Sequence, residues 1–451
     1  MVGGRGRPRR GGSLARAFRL PRRSFEAWKR TIVTAGLVTL AVFGLRLAHA
    51  LHGFETRWMD LMAYVDRPEF RAPITVVAIT DADYRSPAYF RGMSPLHPEP
   101  LARLLRTVAA HRPRGVVLDI QIHPGAAETP DRVAGRLDLY RTLDSLGRDG
   151  RVPLVLVREP QSEVGPTEAA DTLEQEWGRL TTHPGLRWAD PGIAWTGEIA
   201  RALPPYREER SPGERLPTVL GAAVEAFGLA PHRTAPRWAI EEERPTEPWH
   251  IRYTGCFLDD TSSVSPVRVT ASSVLSSPVV PGQVSLLTDR IVLIGGTYQE
   301  GRDFHGTPLG EMPGVYVWAE ALASWIRNDA LREPPANVAL PLEFLIGVLA
   351  GWLLLRFGPG WGLLYSVSVV LPLTVLFSLL TFGDRVLFVN FLPAFVAVYT
   401  HYQIELHLEI NRRRRELQEA GEVVKRLRLR LRSLQARRAP PAADPPGSLH
   451  S

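Results

Sequence analysis

The segment Ile74-Thr-Val-Val-Ala-Ile79, followed directly by Thr80 and Asp81, predicts a buried β-strand, because it is a short apolar run rich in β-branched residues. The next apolar residues, between Pro100 and Ala110, recur with helical spacing. A second strand, Gly115-Val-Val-Leu118, then ends at Asp119. This alternation of strands and helices predicts an α/β fold with a mostly parallel sheet.

The same pattern continues further along the chain. A helix is predicted from Arg132 to Leu146 and a strand from Val152 to Val157. Near the end of the segment, a strand at Arg290 to Ile294 leads into a turn at Gly295-Gly296-Thr297, and a helix follows from Pro313 to Arg327. Residues 161–211, rich in Pro, Gly, Glu and Arg, interrupt the pattern and are predicted to form a surface insertion.

Four hydrophobic stretches bracket this α/β segment, one before it and three after residue 338. Each has close to the roughly 17–25 residues that a helix needs to cross a bilayer, and the last is the shortest. An even number of crossings puts both chain ends on one side of the membrane and residues 52–338 alone on the other. The stretches are 31–51, 339–355, 361–382 and 386–399.

The charges at the two ends predict the orientation. Residues 1–30 carry a net charge of +9 and residues 401–451 one of +5, with Arg412 to Arg415 directly after the last stretch. Because Arg and Lys are enriched on the cytoplasmic side of membrane helices, both termini are predicted to be cytoplasmic. Residues 52–338 carry −8, so the overall charge of +7 conceals an acidic exported domain.

Two other interpretations of the basic ends remain open. A basic chain can bind nucleic acid, but this charge lies in tails next to the membrane, where anionic lipid attracts it. The first stretch also has the basic flank of a cleaved signal peptide. Its apolar run is long for one and no cleavage site of the usual small-residue form stands out, which favours an uncleaved membrane anchor.

Three aspartates occupy comparable places in the predicted sheet. Asp81 and Asp119 each close a strand, and Asp303 follows a third. In open α/β sheets ligands bind outside the carboxyl ends of the strands, so these acids are candidates for one cleft. Aspartate also caps helices and fixes turns, which is the alternative. The predicted ligand-binding residues are Asp81, Asp119, Gly295, Gly296, Asp303 and Thr307.

A series of short motifs occurs in order through this segment: Asp60-Leu61, Ala78 to Asp81, Gly115 to Ile120, Ile291 to Thr297, Asp303, Thr307-Pro308, and Pro313-Gly314-Val315 with Ala319. The series resembles the CHASE2 extracellular sensory domain. That resemblance covers residues 50–335 and implies a sensor set between one membrane helix and three, followed by a signalling module.

Two departures from the resemblance bear on the ligand. Where the family often has a Trp-Pro-rich stretch ending in arginine, this chain has Met93-Ser-Pro95-Leu-His-Pro98. Where a histidine is common before the matching alanine, this chain has Trp318. If these positions contact a ligand, the resemblance implies that this chain binds a different one, or none.

The C-terminal segment predicts a coiled coil. Ile410, Leu417, Val424 and Leu431 repeat every seven residues, and Leu406, Ala420, Leu427 and Leu434 form a second column that Arg413 interrupts. The alternative is a basic amphipathic helix on the inner leaflet. After Arg438 the Pro-rich end is predicted to be disordered. No room remains for a kinase or cyclase.

Motifs for catalysis and metal binding are weak. Asp81-Ala82-Asp83 resembles the paired aspartates of haloacid-dehalogenase-type phosphotransferases, but Lys29 and Lys425, the only lysines, are both predicted to be cytoplasmic. Gly295-Gly-Thr lacks the lysine of a P-loop. The histidines show no metal-ligand spacing. The single Cys256 cannot form an intramolecular disulfide. We therefore expect no enzyme activity, cofactor or metal.

The sequence thus predicts a multi-pass sensor of the bacterial inner membrane. It would bind an unknown extracytoplasmic small molecule or envelope ligand, form a homodimer, contact anionic lipid, signal to a cytoplasmic partner in trans and bind no nucleic acid. A membrane scaffold that holds an envelope partner is the alternative. The predicted parts are a basic arm (1–30), membrane helix (31–51), sensory domain (52–338), three membrane helices (339–403), coiled coil (404–438) and tail (439–451).

Overall fold

The computed structural model describes residues 24–48, 52–65, 67, 70, 72–122, 129–157, 168–193, 199–208, 215–229, 249–257, 267–276, 284–327, 336–370, 372–377 and 392–438. The chain divides into two compact units. The helical unit comprises Met1–Leu51, Asn337–Leu376 and Phe391–Ser451, and the sheet unit comprises His52–Ala336 with Phe377–Asn390. Most of the predicted basic arm and the whole predicted tail lie outside the described residues.

The strands of the sheet unit are β1 Ile74–Ile79, β2 Gly115–Asp119, β3 Leu154–Val157, β4 Leu186–Ala189, β5 Ala202–Leu203, β6 Tyr206–Glu208, β7 Arg215–Pro217, β8 Trp249–His250, β9 Arg268–Thr270, β10 Ile291–Gly296, β11 Phe304–Thr307 and β12 Gly310–Pro313. Its helices are α2 His52–Val65, α3 Asp81–Arg85, α4 Pro98–Ala110, α5 Pro130–Asp149, α6 Glu168–Thr181, α7 Val219–Phe227, α8 Ala271–Ser276, α9 Val284–Leu287 and α10 Gly314–Arg327.

Six strands form one sheet in the order β4-β3-β2-β10-β1-β9, and every adjacent pair is parallel. The predicted α/β fold with a mostly parallel sheet is therefore confirmed. The last of these six strands in chain order, β10, lies between β1 and β2 and brings their carboxyl ends to one edge. Along that edge Asp119 pairs with Gly295, and Ile79 with Gly296.

Helices cover both faces of this sheet. Val76 and Leu293 face a core that includes residues of α7 and α10, whereas Val77 and Ile294 face a second core with residues of α4 and α5. Both β1 and β10 are fully buried from their first residue to their fifth. Burial on both faces explains why these strands are continuous apolar runs rather than alternating ones.

The helix predicted from Pro313 to Arg327 is confirmed as α10, which begins one residue later because Pro313 ends β12. Two other predictions about local structure are wrong. Gly295 and Gly296 belong to β10 rather than to a turn, because parallel pairing with β1 continues to Gly296. Residues 161–211 are not only a surface insertion: their described part contains α6 and β4, and β4 extends the main sheet by pairing with β3. Strand β4 has four residues, which are too few for the alternation of apolar and polar side chains to identify it in the sequence.

The helical unit contains α1 Ser24–Leu47, α11 Ala336–Tyr365 with a π-helical turn at Ser366–Val370, and α12 Leu392–Arg438. Two segments in the described residues, Trp28–Leu45 and Asn337–Phe377, are long and apolar enough to cross a membrane, which weakly indicates membrane association. The second contains the predicted stretch 339–355 and most of 361–382, and its helical backbone breaks between them at Gly358 (φ 79°, ψ 170°).

The chain folds back at this break. A side chain at Gly362 would contact the Leu354 backbone at 2.5 Å, a closeness that a continuous helix does not allow for residues eight apart. The predicted stretch 386–399 lies partly outside the described residues, which resume at the start of α12. Four membrane crossings therefore stay a prediction.

The helices of this unit pack through small residues and leave large apolar ones outside. At Gly351 of α11, Thr31 and His401 both come within contact of the glycine, so α1, α11 and α12 meet there. Large apolar side chains remain exposed on its surface, including Leu37, Leu345, Trp361, Leu373 and Phe395. An exposed apolar surface of this kind is typical of contact with lipid or another protein.

The predicted coiled-coil segment lies within α12, which is a single helix of 47 residues. Leu417 is 72% exposed and Val424 47% exposed, so other described residues of this chain do not cover these two heptad positions. Helical structure here is as predicted, whereas pairing between two copies stays a prediction.

Candidate functional site

A cleft of about 350 Å³ opens at the carboxyl edge of the sheet. Its walls come from the ends of β2, β3 and β10, from the loop before α4, and from α10. A cleft of this volume at this edge is where open α/β sheets bind small ligands. The lining residues are Ser94, Pro95, Leu96, Asp119, Ile120, Gln121, Val157, Pro191, Gly296, Tyr298, Gly301, Arg302, Asp303 and Trp318.

Asp119 is the central acid of the cleft. It is the last residue of β2, and part of it faces the cleft while its Oδ2 atom is shielded from solvent. Among the described residues, Oδ2 has no hydrogen-bond partner. Burial, and then the charge of Asp303, raise the pKa of Asp119 well above its usual range. A buried carboxyl group without a partner is costly, so this side chain is prepared for an incoming group rather than for structure.

Asp303 approaches the same cleft from the loop before β11. Its Oδ1 lies 2.8 Å from Nε2 of His305, and its backbone oxygen accepts a hydrogen bond of 2.9 Å from the amide of Gly314. A side chain at Gly314 would collide with the Asp303 carboxylate. The glycine therefore lets the acid lie against the first turn of α10, where the helix dipole favours negative charge.

Tyr298 is fixed in the cleft wall by stacking. Its ring lies 4.4 Å from that of Tyr84, nearly parallel to it. A side chain at Gly296 would meet the Tyr298 ring at 2.7 Å, so a glycine is needed there. Burial and the nearby groups, including Asp303, raise the pKa of Tyr298 to about 12, which keeps its hydroxyl protonated at neutral pH.

The six predicted ligand-binding residues divide into two sets. Asp119, Gly296 and Asp303 line the cleft; Asp81, Gly295 and Thr307 do not. Asp81 accepts a hydrogen bond of 3.2 Å from the amide of Gln299, and thereby holds the short helix that follows Tyr298. The contact of Asp81 is therefore structural, which is close to the alternative in which an aspartate caps a helix or fixes a turn.

Gly295 and Thr307 have structural contacts. A side chain at Gly295 would meet Val315 of α10 at 2.5 Å, so the glycine allows β10 and α10 to approach each other. Thr307 donates to the Gly310 oxygen at 2.6 Å and accepts from the Leu309 amide at 3.2 Å, which closes the turn between β11 and β12.

A family model described as the CHASE2 domain matches residues 37–357, which is most of the chain. The chain belongs to the CHASE2 family. A search of curated proteins and a search of solved structures each find no match. CHASE2 domains are extracellular sensory domains, which agrees with a ligand cleft in the sheet unit.

Both departures from the CHASE2 pattern lie in the cleft. Ser94, Pro95 and Leu96 line one wall, and Trp318 of α10, whose side chain is buried, lines another. The positions at which this CHASE2 chain differs are therefore positions that a bound molecule would contact. Gln121 and Arg302, which the sequence did not single out, line the same cleft.

Sequence reasoning also missed Glu320, which is completely buried in α10. Its carboxylate accepts hydrogen bonds from the Thr254 amide (3.1 Å), the Thr254 hydroxyl (2.7 Å) and the Gly255 amide (3.1 Å). Burial raises the pKa of Glu320 to about 7, against the effect of these donors. The available signal was one acid in the middle of an apolar helix, where only a satisfied carboxyl group is tolerated.

A fork of two hydrogen bonds joins α2 to the strand region before β5. Arg201 donates from Nε to Oδ1 of Asp60 at 2.7 Å and from Nη2 to Oδ2 at 2.6 Å. Asp60 is the first residue of the CHASE2 motif series, and its partner lies 141 residues later in the chain. Planar, bidentate pairs of this type fix orientation as well as distance.

The described residues offer no site for a metal ion. Within them no group of three or more His, Cys, Asp or Glu side chains could hold one.

Proposed function

We propose that this CHASE2 protein is a membrane-bound extracytoplasmic sensor that binds a small molecule in the cleft of its sheet unit. The supporting observation is the Asp119 carboxyl group, which faces the cleft without a hydrogen-bond partner among the described residues. A purely structural aspartate would cap a helix or close a turn. The family and the exposed apolar surface of the helical unit support a sensory role at a membrane.

A continuous set of contacts connects the cleft to α2. Helix α10, whose Trp318 lines the cleft, holds the segment after β8 through Glu320 and through Ser324, which accepts from the Arg252 amide at 3.4 Å. The next link is the Ile251 amide, which donates to the Arg201 oxygen at 2.8 Å. Arg201 then binds Asp60 of α2.

Both ends of this set of contacts are next to apolar helices in the sequence. Helix α2 begins five residues after α1 ends, and α10 is the last helix before α11. A ligand that moves α10 relative to α2 would therefore change the positions of α1 and α11. We propose that α12 converts this change into a different pairing of two copies, which a separate cytoplasmic signalling protein detects.

The first prediction concerns topology. Alkaline phosphatase fused after Thr254 should be active, and the same reporter fused after Ser433 should be inactive, because the basic flanks place both termini in the cytoplasm. The assay compares enzyme activity per unit of fusion protein in intact cells. Activity of the Ser433 fusion together with inactivity of the Thr254 fusion would overturn the proposed orientation.

The second prediction tests the pairing of two copies through α12, on which the proposed sensing depends. In membranes, a cysteine introduced near the end of α12 should crosslink two copies, and replacing Leu417 and Val424 together by Asp should abolish the crosslink, since buried unpaired charge in the interface is costly. Leu429→Asp is the matched control: Leu429 is 58% exposed and lies on the opposite side of the same helix. This variant should retain the crosslink.

A compound that binds the cleft should then change the crosslinking yield. Compounds are first selected by their effect on the melting temperature of the full chain in detergent, because a ligand of the folded form must stabilise it. A sensor requires that such compounds alter crosslinking at α12. Compounds that raise the melting temperature and leave the crosslink unchanged would instead favour the scaffold alternative.

A further inference from the structure

The chemistry of the cleft points to the charge of its ligand. Two carboxyl groups, those of Asp119 and Asp303, line it, and the charge of Asp303 raises the pKa of Asp119. The charge of Asp303 disfavours the ionised form of Asp119. A cation placed between the two carboxyl groups would relieve this repulsion.

Among the described residues, no arginine or lysine forms an ion pair with Asp119 or Asp303. Arg302 lines the cleft but is exposed, and the described ion pairs do not join it to either acid. Asp303 has His305 as its partner at 2.8 Å. Asp119 therefore lines the cleft with a carboxyl group whose Oδ2 atom has no hydrogen-bond partner among the described residues.

The size and lining of the cleft distinguish an organic cation from a metal ion. Magnesium and calcium ions take six or more oxygen ligands, and the described residues offer no group of three acidic or histidine side chains for one. The cleft is much larger than a metal ion, and Leu96, Ile120, Val157 and Trp318 supply apolar surface beside the acids. An aromatic ring beside a cation adds further attraction.

We propose that the cleft binds a small organic ammonium ion, whose charged nitrogen pairs with the Asp119 carboxyl group and faces Asp303, and whose apolar body lies along Leu96 and Trp318. This inference rests on the proposed function, because it names the chemical class of the sensed molecule. Asp119 and Asp303 supply the charge recognition. The two positions at which the chain departs from its family supply the shape.

Ligand binding should depend on pH. Only the ionised Asp119 attracts the cation, and burial and Asp303 raise its pKa, so affinity should increase from mildly acidic to mildly alkaline pH. The charged and titratable groups around it are Asp303, Arg302, Tyr298 and His305. Tyr298, with a pKa of about 12, stays neutral over this range.

The third prediction is measured as the melting temperature of the full chain in detergent. Phenethylammonium and butylammonium, at millimolar concentration, should raise it, whereas phenethyl alcohol, phenylacetate, Ca²⁺ and Mg²⁺ should not. In Asp119→Asn the affinity for phenethylammonium should fall about thirtyfold or more, because a buried charge partner is lost. Asp303→Asn should weaken binding less, since Asp303 is half-exposed.

Two controls separate binding from folding. Asp119→Asn should melt at or above the wild-type temperature near neutral pH, because it removes a buried carboxylate that the apo cleft does not satisfy. Asp81→Asn changes an acid outside the cleft and should bind phenethylammonium like the wild type.

Several outcomes would overturn the proposal. They are the absence of any shift with both ammonium ions, an equal shift with phenylacetate or phenethyl alcohol, a shift with a divalent cation instead, or retention of ammonium binding in Asp119→Asn. Binding of phenylacetate that depends on Trp318 would refute the ligand class and leave sensing intact. Ammonium binding without any change in the α12 crosslink would support the proposed ligand class and count against the proposed coupling between the cleft and α12.

Discussion

Replacing Asp60 by Ala should lower the free energy of unfolding of the sheet unit by about 3 kcal/mol, the low end of the range for breaking a buried ion pair. The Arg201 side chain is only 9% exposed and would lose the carboxylate that accepts two of its hydrogen bonds. Asp60 is 21% exposed, so water is expected to replace part of the hydrogen bonding that Arg201 loses. In the full chain in detergent, the loss should appear as a fall in melting temperature on the order of 10 °C.

An exposed ion pair provides the control. Arg106 and Asp138, 3.0 Å apart and each more than 40% exposed, join α4 to α5, and Asp138→Ala should cost no more than about 1 kcal/mol. The double variant in which Asp60 and Arg201 are both Ala should recover part of the loss, since no buried charge then lacks its partner. Equal, small costs for Asp60→Ala and Asp138→Ala would show that the Asp60–Arg201 fork does not hold α2.

The same pair tests the proposed relay. If the fork transmits the state of the cleft, a ligand that raises the melting temperature of Asp60→Ala should no longer change crosslinking at α12. A ligand response that persists at α12 in this variant would place the route elsewhere, through the connection from α10 to α11.

The α/β architecture could be predicted from the sequence because its central strands are buried on both faces. Such strands are continuous apolar runs; β2 and β10 end at Asp119 and Gly296, and Asp81 follows β1 after one residue. Strand β4 could not be predicted in this way: only Leu186 and Ala189 face the interior fully, and Arg187 is exposed. An edge strand of four residues leaves too little pattern.

The site could be predicted only in part, for a geometric reason. Position at the end of a strand places a residue at the correct edge of the sheet, and this identified Asp119. It does not say which way a loop turns, so Asp81, which also follows a strand, was grouped with Asp119 although it holds the helix after Tyr298. Glu320 and Arg201 have partners 66 and 141 residues away, and such pairings are set by the tertiary fold.

The fold should lose stability as the pH rises from about 5 to above 7, and Glu320 is one cause that we expect. In the folded protein its pKa is about 7, raised from 4.5 by burial, so between these values the folded state binds more protons than the unfolded one. Stability contributed by this group is complete below the unfolded pKa and is lost as the pH rises through the folded pKa. Across this pH interval, the shifted pKa of Glu320 changes the free energy of unfolding by about 3 kcal/mol.

Glu320→Gln should remove the part of this fall in melting temperature that Glu320 contributes, and the part that remains should come from Asp119, whose pKa is also raised by burial. The amide nitrogen of Gln cannot accept the hydrogen bond from the Thr254 amide, so this variant should melt below the wild type at mildly acidic pH. Glu311→Gln, an exposed acid on β12, should retain the wild-type profile. A wild-type melting temperature that rises between pH 5 and 7, or a fall that is equally large in Glu320→Gln, would show that Glu320 is ionised at low pH and is held by its three donors. In that case α10 would be fixed at all pH values, and ionisation of Glu320 could not alter the cleft that Trp318 lines.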